Sequence, residues 1–130
     1  MPLRVQFVSP ERVLLSCEAE YVIARTKGGG DIEFLPGHIP FLGELETWTL
    51  KIKQTDGTER VAAVHGGFIE VFDDQVVVLS DQAELAEEID TERAQRARER
   101  AEARLREEHD AEVEAALRRA HVRLRAAGHH

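Results

Sequence analysis

The segment GGGDIEFLPGHIPFL, Gly28 to Leu42, gathers three consecutive glycines and a fourth at Gly37, two prolines, Asp31, Glu33 and His38. It admits three chemical readings. A glycine-rich turn can cradle phosphate, but TKGGGD lacks the Gly-Lys-Ser/Thr that completes a P-loop. His38 could act as a general base, which needs a nucleophile or an oriented substrate, and the loop offers neither Ser nor Cys as a partner. The third reading is a docking loop whose glycines and prolines only shape the backbone. His65 precedes Gly66-Gly67 at a break between strand-like runs, where glycine normally serves a bulge or a close backbone approach. A small hydrolase using His38 or His65 with Asp31 or Glu33 therefore has no recognisable nucleophile. No metal-ligand spacing is present either. Cys17, the single cysteine, cannot close an internal disulfide and reads as a small packed side chain.

The elements that must position these residues divide in two. Residues 1–88 carry seven basic and sixteen acidic side chains, all four prolines, all seven aromatic residues and eight of the nine glycines. Residues 89–130 carry ten arginines, no lysine and nine acidic residues. The first part reads as short strands. LRVQFV alternates Leu3, Val5 and Phe7 with Arg4 and Gln6, the period-two pattern of a half-buried strand. YVIART and WTLKIK follow, the latter placing Trp48, Leu50 and Ile52 on one face. Asp56-Gly57 marks a hairpin, and Asp73-Asp74 joins FIEVF tightly to QVVVLS. Strands punctuated by turns every ~8–12 residues indicate a β-sandwich or flattened barrel. From Asp90 to Ala127 Gly and Pro vanish, and apolar residues recur at helical spacing: Ala94, Ala97, Ala101, Leu105, then Val113, Leu117, Ala120, Leu124. Asp110 can cap the second run, so the pattern predicts an antiparallel two-helix hairpin. Its seam is alanine-rich and buries little area, so the hairpin should be weakly held. Glu102 with Arg106 exemplifies the i,i+4 pairs of a solvated, salt-laced helix.

The net charge of −8 argues against nucleic-acid binding. The start of the chain lacks a signal-peptide pattern, and no apolar run approaches the ~20 residues of a membrane span. A cytoplasmic location is expected.

FLPGHIPFL, HGGFIEVFDDQVVVLSDQAE and EEIDTERAQRARERAEARL, in this order and spacing, resemble the epsilon subunits of bacterial rotary F-type ATP synthases. The similarity runs from Val8 to Ala127. It implies an N-terminal all-β sandwich of about ten strands (1–88) followed by a C-terminal antiparallel helical hairpin (89–130). It also implies a non-catalytic, peripheral subunit on the cytoplasmic face of the bacterial membrane. The expected partners are the gamma subunit, the c-ring and the alpha/beta hexamer. The role implied is coupling rotation to ATP synthesis, with inhibition of ATP hydrolysis when the hairpin extends. A free-standing nucleotide-binding sandwich with a helical lid is the alternative.

The same resemblance assigns residues. IDTERA matches the family's ATP signature, implying Glu84, Ile89, Asp90, Arg93, Ala94, Arg100, Arg119 and Arg123 as a site for ATP as a regulatory ligand, with no cofactor required. An arginine cluster can hold phosphates through charge-assisted bonds. The plainer reading makes Asp90 the N-cap of the first helix and Arg93 a solvated first-turn side chain. Arg118, Arg119, Arg123 and Arg125 follow the last acid, Glu114, and are the candidates for inhibitory contacts to beta. Asp31, Glu33, Pro36, Gly37 and His38 form the docking loop, with Phe34, Leu35 and Phe41 as its anchors in the core. The family favours Gly where Glu33 stands, which puts the local turn in question. It frequently has Gly at the positions of Cys17 and Trp48 as well.

Overall fold

Leu3, Val5 and Phe7 are fully buried while Arg4 and Gln6 face solvent. This is the alternation the sequence predicts, as seen in a computed structural model that describes residues 1–128. Strand β1 (Leu3–Val8) pairs antiparallel with the long β2 (Val13–Thr26) and parallel with β8 (Gln75–Leu79). The remaining strands are β3 (Gly30–Phe34), β4 (Phe41–Glu44), β5 (Thr47–Gln54), β6 (Glu59–His65), β7 (Phe68–Phe72) and β9 (Ala83–Leu85). Along the sheet the order is β4-β7-β8-β1-β2-β5-β6-β9, with β3 on β2. Nine strands form among the described residues, where the resemblance implies about ten. Phe7, Phe34, Leu45, Leu50, Ile52 and Ile69 fill the main core, and Cys17 packs at its edge.

Two turns explain why the strands meet as they do. Asp73 and Asp74 take φ of 48° and 59°, the left-handed values a two-residue hairpin needs and that Asp tolerates. Gly67 has φ of 120°, and a Cβ there would lie 2.2 Å from the Leu79 carbonyl oxygen. The Gly66-Gly67 break is thus a close approach of two backbones.

Helix α1 (Thr91–Glu107) starts at Asp90, whose carboxylate accepts from the Arg93 N–H at 3.1 Å. Helix α2 (Ala111–Ala126) starts at Asp110, which accepts from Glu112 N–H at 2.8 Å. Both Asp residues are the caps that sequence anticipates. Ala94 and Ala101 are buried on α1; Val113, Ala120, Val122, Leu124 and Ala126 are buried on α2. The wider burial of α2 has a simple cause. It lies between α1 and the sheet, touching β5 and β6. Glu102 pairs with Arg98 at 3.4 Å, one turn before it, instead of Arg106 one turn after. Among the described residues no helix is long and apolar enough to cross a membrane. His129 and His130 lie outside the described residues.

Candidate functional site: the seam between sheet and hairpin

Val122, Ala126, Ile89 and Ala63 form a second buried cluster, distinct from the main core, with Trp48, Val61 and Ala127 packed against it. It is small, as an alanine-rich helix face dictates. Polar contacts from α2 surround it. Arg118 donates to the Thr47 carbonyl and to Glu46, both at 3.1 Å. Arg123 Nε donates to Glu84 Oε1 at 2.6 Å. The Arg125 guanidinium lies 4.8 Å from the Trp48 ring centroid, and Arg25 lies 3.7 Å from it. Arg119 pairs within its own helix, with Glu112 at 3.0 Å. Of the four arginines at the basic end of the chain, Arg118 and Arg123 are therefore paired with acids of the sandwich.

Trp48 departs from the expected pattern. Leu50 and Ile52 enter the main core, whereas Trp48 joins the seam. An indole is amphipathic and suits a boundary that is apolar on one side and wet on the other.

Glu84 is the most perturbed acid of the seam. His65 and then Arg123 hold its carboxyl at about 2 against the upward push of burial. The His65 side chain is only 2% exposed and its Nε2 lies 3.5 Å from Glu84. Among the described residues neither ring nitrogen has a hydrogen-bond partner, so the Arg123 contact is a true bond and His65 an electrostatic neighbour.

The residues assigned to ATP fall around two adjoining clefts. Glu84, Asp90, Arg93, Ala94 and Arg123 line one of about 270 Å³. Arg100, Arg119 and Arg123, with Arg104, line another of about 280 Å³. Ile89 stands apart, buried beneath α2. Arg123 belongs to both clefts. Asp90 serves as the helix cap, so the plainer reading of that residue is realised.

The loop around Gly37, read from sequence as a docking loop, is tied to the neighbouring hairpin. Asp74 Oδ1 accepts from the Gly37 N–H at 2.7 Å, and Gly37 has φ of 84°. His38 packs edge-on to Phe34 at 4.9 Å and its Nδ1 contacts the Ile39 carbonyl at 2.7 Å. Phe34 is fully buried and Phe41 half-buried, but Leu35 is 48% exposed, so it does not anchor the loop. The Leu35-Pro36-Gly37-His38 turn follows the end of β3, and Leu35 sits outside the strand's inward alternation. Glu33 lies inside β3, opposite Ile23, in extended backbone where a side chain costs nothing. Asp31 is held by Arg25 through two bonds of 2.9 and 3.2 Å. Neither histidine is bonded to Asp31 or Glu33, so the hydrolase arrangement is not assembled.

Sequence reasoning missed one surface. Leu42, Phe68, Phe72 and Leu79 are all 39% exposed or more. They sit on the outward side of β4, β7 and β8, where Phe68 opposes Leu79. The signal was present in FIEVF, whose alternation leaves Phe68 and Phe72 on the face opposite buried Ile69 and Val71.

A nine-stranded sandwich carrying a helical hairpin on one face and an apolar strip at the other end of its sheet defines a protein built to bind partners. Residues 2–86 match the ATP synthase delta/epsilon chain beta-sandwich domain, and residues 87–128 match its long alpha-helix domain. The chain belongs to the ATP synthase delta/epsilon chain family. It is 49% identical to an ATP synthase epsilon chain of Streptomyces griseus, over 95% of this chain and 94% of that one. An epsilon chain of Moorella thermoacetica is 46% identical, over 97% and 96%. Among solved structures, a chain of the Euglena gracilis mitochondrial ATP synthase (OSCP/F1/c-ring) aligns with a TM-score of 0.83 at 25% identity, covering 98% of this chain and 82% of that one.

Proposed function

We propose that the chain is the epsilon-type subunit of a bacterial rotary ATP synthase, seated on the central stalk at the cytoplasmic face of the membrane. It acts there without catalysing a reaction itself. Its sandwich binds gamma and faces the c-ring, helping to couple rotation to ATP synthesis. The observation that carries this reading beyond family membership is the exposed strip of Leu42, Phe68, Phe72 and Leu79. Clustered exposed apolar side chains mark a protein–protein contact, and this strip lies clear of the hairpin.

The hairpin is the regulatory part. A small apolar cluster and two partly exposed arginine ion pairs hold α2 to the sheet, and exposed ion pairs contribute ~0.2–1 kcal/mol each. Arg118, Arg123 and Arg125 would become free for acidic residues of the alpha/beta hexamer on release. ATP bound across the clefts at Arg93, Arg100 and Arg123 would favour the docked state, because a ligand shifts an equilibrium towards the conformation it binds better.

Reconstitution of the synthase with the full chain and with residues 1–88 tests both parts. Co-assembly of either form with gamma, together with faster ATP hydrolysis by the shortened form, is the expected result. Failure of the full chain to join gamma would refute the stalk reading. Unchanged hydrolysis would refute the inhibitory one.

A further inference from the structure

Trp48 is the chain's single tryptophan, and it is where the Arg25–Asp31 pair of β2 and β3 meets the hairpin. Arg25 lies 3.7 Å from its ring centroid, with its Nε and Nη2 donating to the Asp31 carboxylate at 2.9 and 3.2 Å. Arg125, from the last turn of α2, approaches the same ring to 4.8 Å. Two guanidinium cations on one indole each gain from the ring quadrupole, but they repel each other. Lys51 on β5 adds a third positive charge acting on Asp31, and Arg118 of α2 a fourth cation nearby, bonded to Glu46. Against these stand two carboxylates, Asp31 and Glu46, and both act on Arg25. Asp31 also feels Arg125, so its charge reaches across the seam to the helix.

We propose that Asp31 is the anion that lets Arg125 stay on Trp48 beside Arg25, so that engagement of Asp31 at the start of β3 and docking of α2 are linked. A cationic group of a partner that takes Asp31 leaves Arg25 and Arg125 uncompensated on one ring and loosens the last turn of α2. Linkage is reciprocal, so release of α2 removes a cation from the vicinity of Asp31 and alters how Asp31 binds a partner. The proposal rests on the stalk reading only for what engages Asp31. The linkage itself belongs to the isolated chain.

Hydrogen exchange of the isolated full chain tests it, with Trp48 emission as a second readout. Asp31→Asn should speed exchange in the last turn of α2 about two- to five-fold, the effect of one partly exposed charge. Trp48 should become more accessible to acrylamide, while β1 and β8 keep their protection. Asp31→Glu should restore both. The double variant Asp31→Asn/Arg25→Met should return α2 towards wild-type protection, because without the Arg25 charge the compensating anion is not needed. Unchanged α2 exchange in Asp31→Asn overturns the proposal. So does absence of rescue in the double variant, which would mean that Asp31 only supports the β2–β3 pairing. In the assembled synthase the α2 exchange of wild type and Asp31→Asn should converge, because the partner already takes up the Asp31 charge; a difference as large as in the isolated chain would refute the partner's hold on Asp31. Failure of the full chain to join gamma bears on the stalk reading alone.

Discussion

Arg123 Nε donates to Glu84 Oε1 at 2.6 Å, joining the last turns of α2 to the final strand of the sandwich. The bond is the shortest polar link across the seam. Its carboxylate is held at about 2 by His65 and Arg123, below the ordinary 4.5. A depressed carboxyl contributes stability that is complete above 4.5 and is lost as pH falls towards 2. Glu84→Gln should therefore weaken hairpin docking by about 1 kcal/mol at pH 6, after allowing for partial exposure. The gap from wild type should close as pH falls through 4.5 to about 2, followed by Trp48 fluorescence. A gap that persists at the acid end would show that the charge on Glu84 is not what matters.

Gly67→Ala places a methyl group against the Leu79 carbonyl and forces φ of 120° on a side chain. The expected loss is on the order of 3 kcal/mol in chemical denaturation of the sandwich. Gly66→Ala meets open space at φ of 88°, and should cost only about 1–2 kcal/mol. Equal losses would mean that conformation, not contact, decides at both positions.

Phe68→Asp alters a half-exposed side chain on the outer face of β7. Stability should stay within about 0.5 kcal/mol of wild type. Binding to gamma should fall sharply in pull-down assays, since a carboxylate would be buried in an apolar contact. Retained binding would move the contact elsewhere on the sandwich.

Arg93 and Arg100 line the two clefts, and neither is ion-paired to a carboxylate among the described residues. Arg93→Ala or Arg100→Ala should weaken ATP binding about tenfold each, the usual effect of one charge-assisted bond. Titration calorimetry reads this directly. No heat from wild-type protein at millimolar ATP would end the ATP reading.

The strands were legible where one face is core and the other is water. Leu3, Val5 and Phe7 announce β1 because burial alternates with the backbone. Asp90 and Asp110 were legible as caps, since a cap is a local event within four residues. Trp48 was not, because it stands one residue inside the end of β5, and a period of two does not say which buried cluster a side chain at a strand end joins. Leu35 failed for a similar reason, as it follows β3 where the period has ended. The arginines of α2 were visible as a basic run, but Glu46 and Glu84 lie some 70 and 40 positions away. No spacing rule reaches that far.

The parallel pairing of β1 with β8 has a consequence for how the chain is made. Leu3–Val8 must wait for Gln75–Leu79 before one of its two edges is filled. A closure over some 70 residues is slow relative to local hairpins, so the N-terminal strand spends part of its early life with an open edge. The hairpin β7–β8 is local and can form first, offering β1 a ready template. Residues 91–126 emerge later still, after the sheet has its full complement of strands. The order of synthesis therefore matches the order of strength: the stable scaffold is complete before the loosely held helices arrive to settle on it.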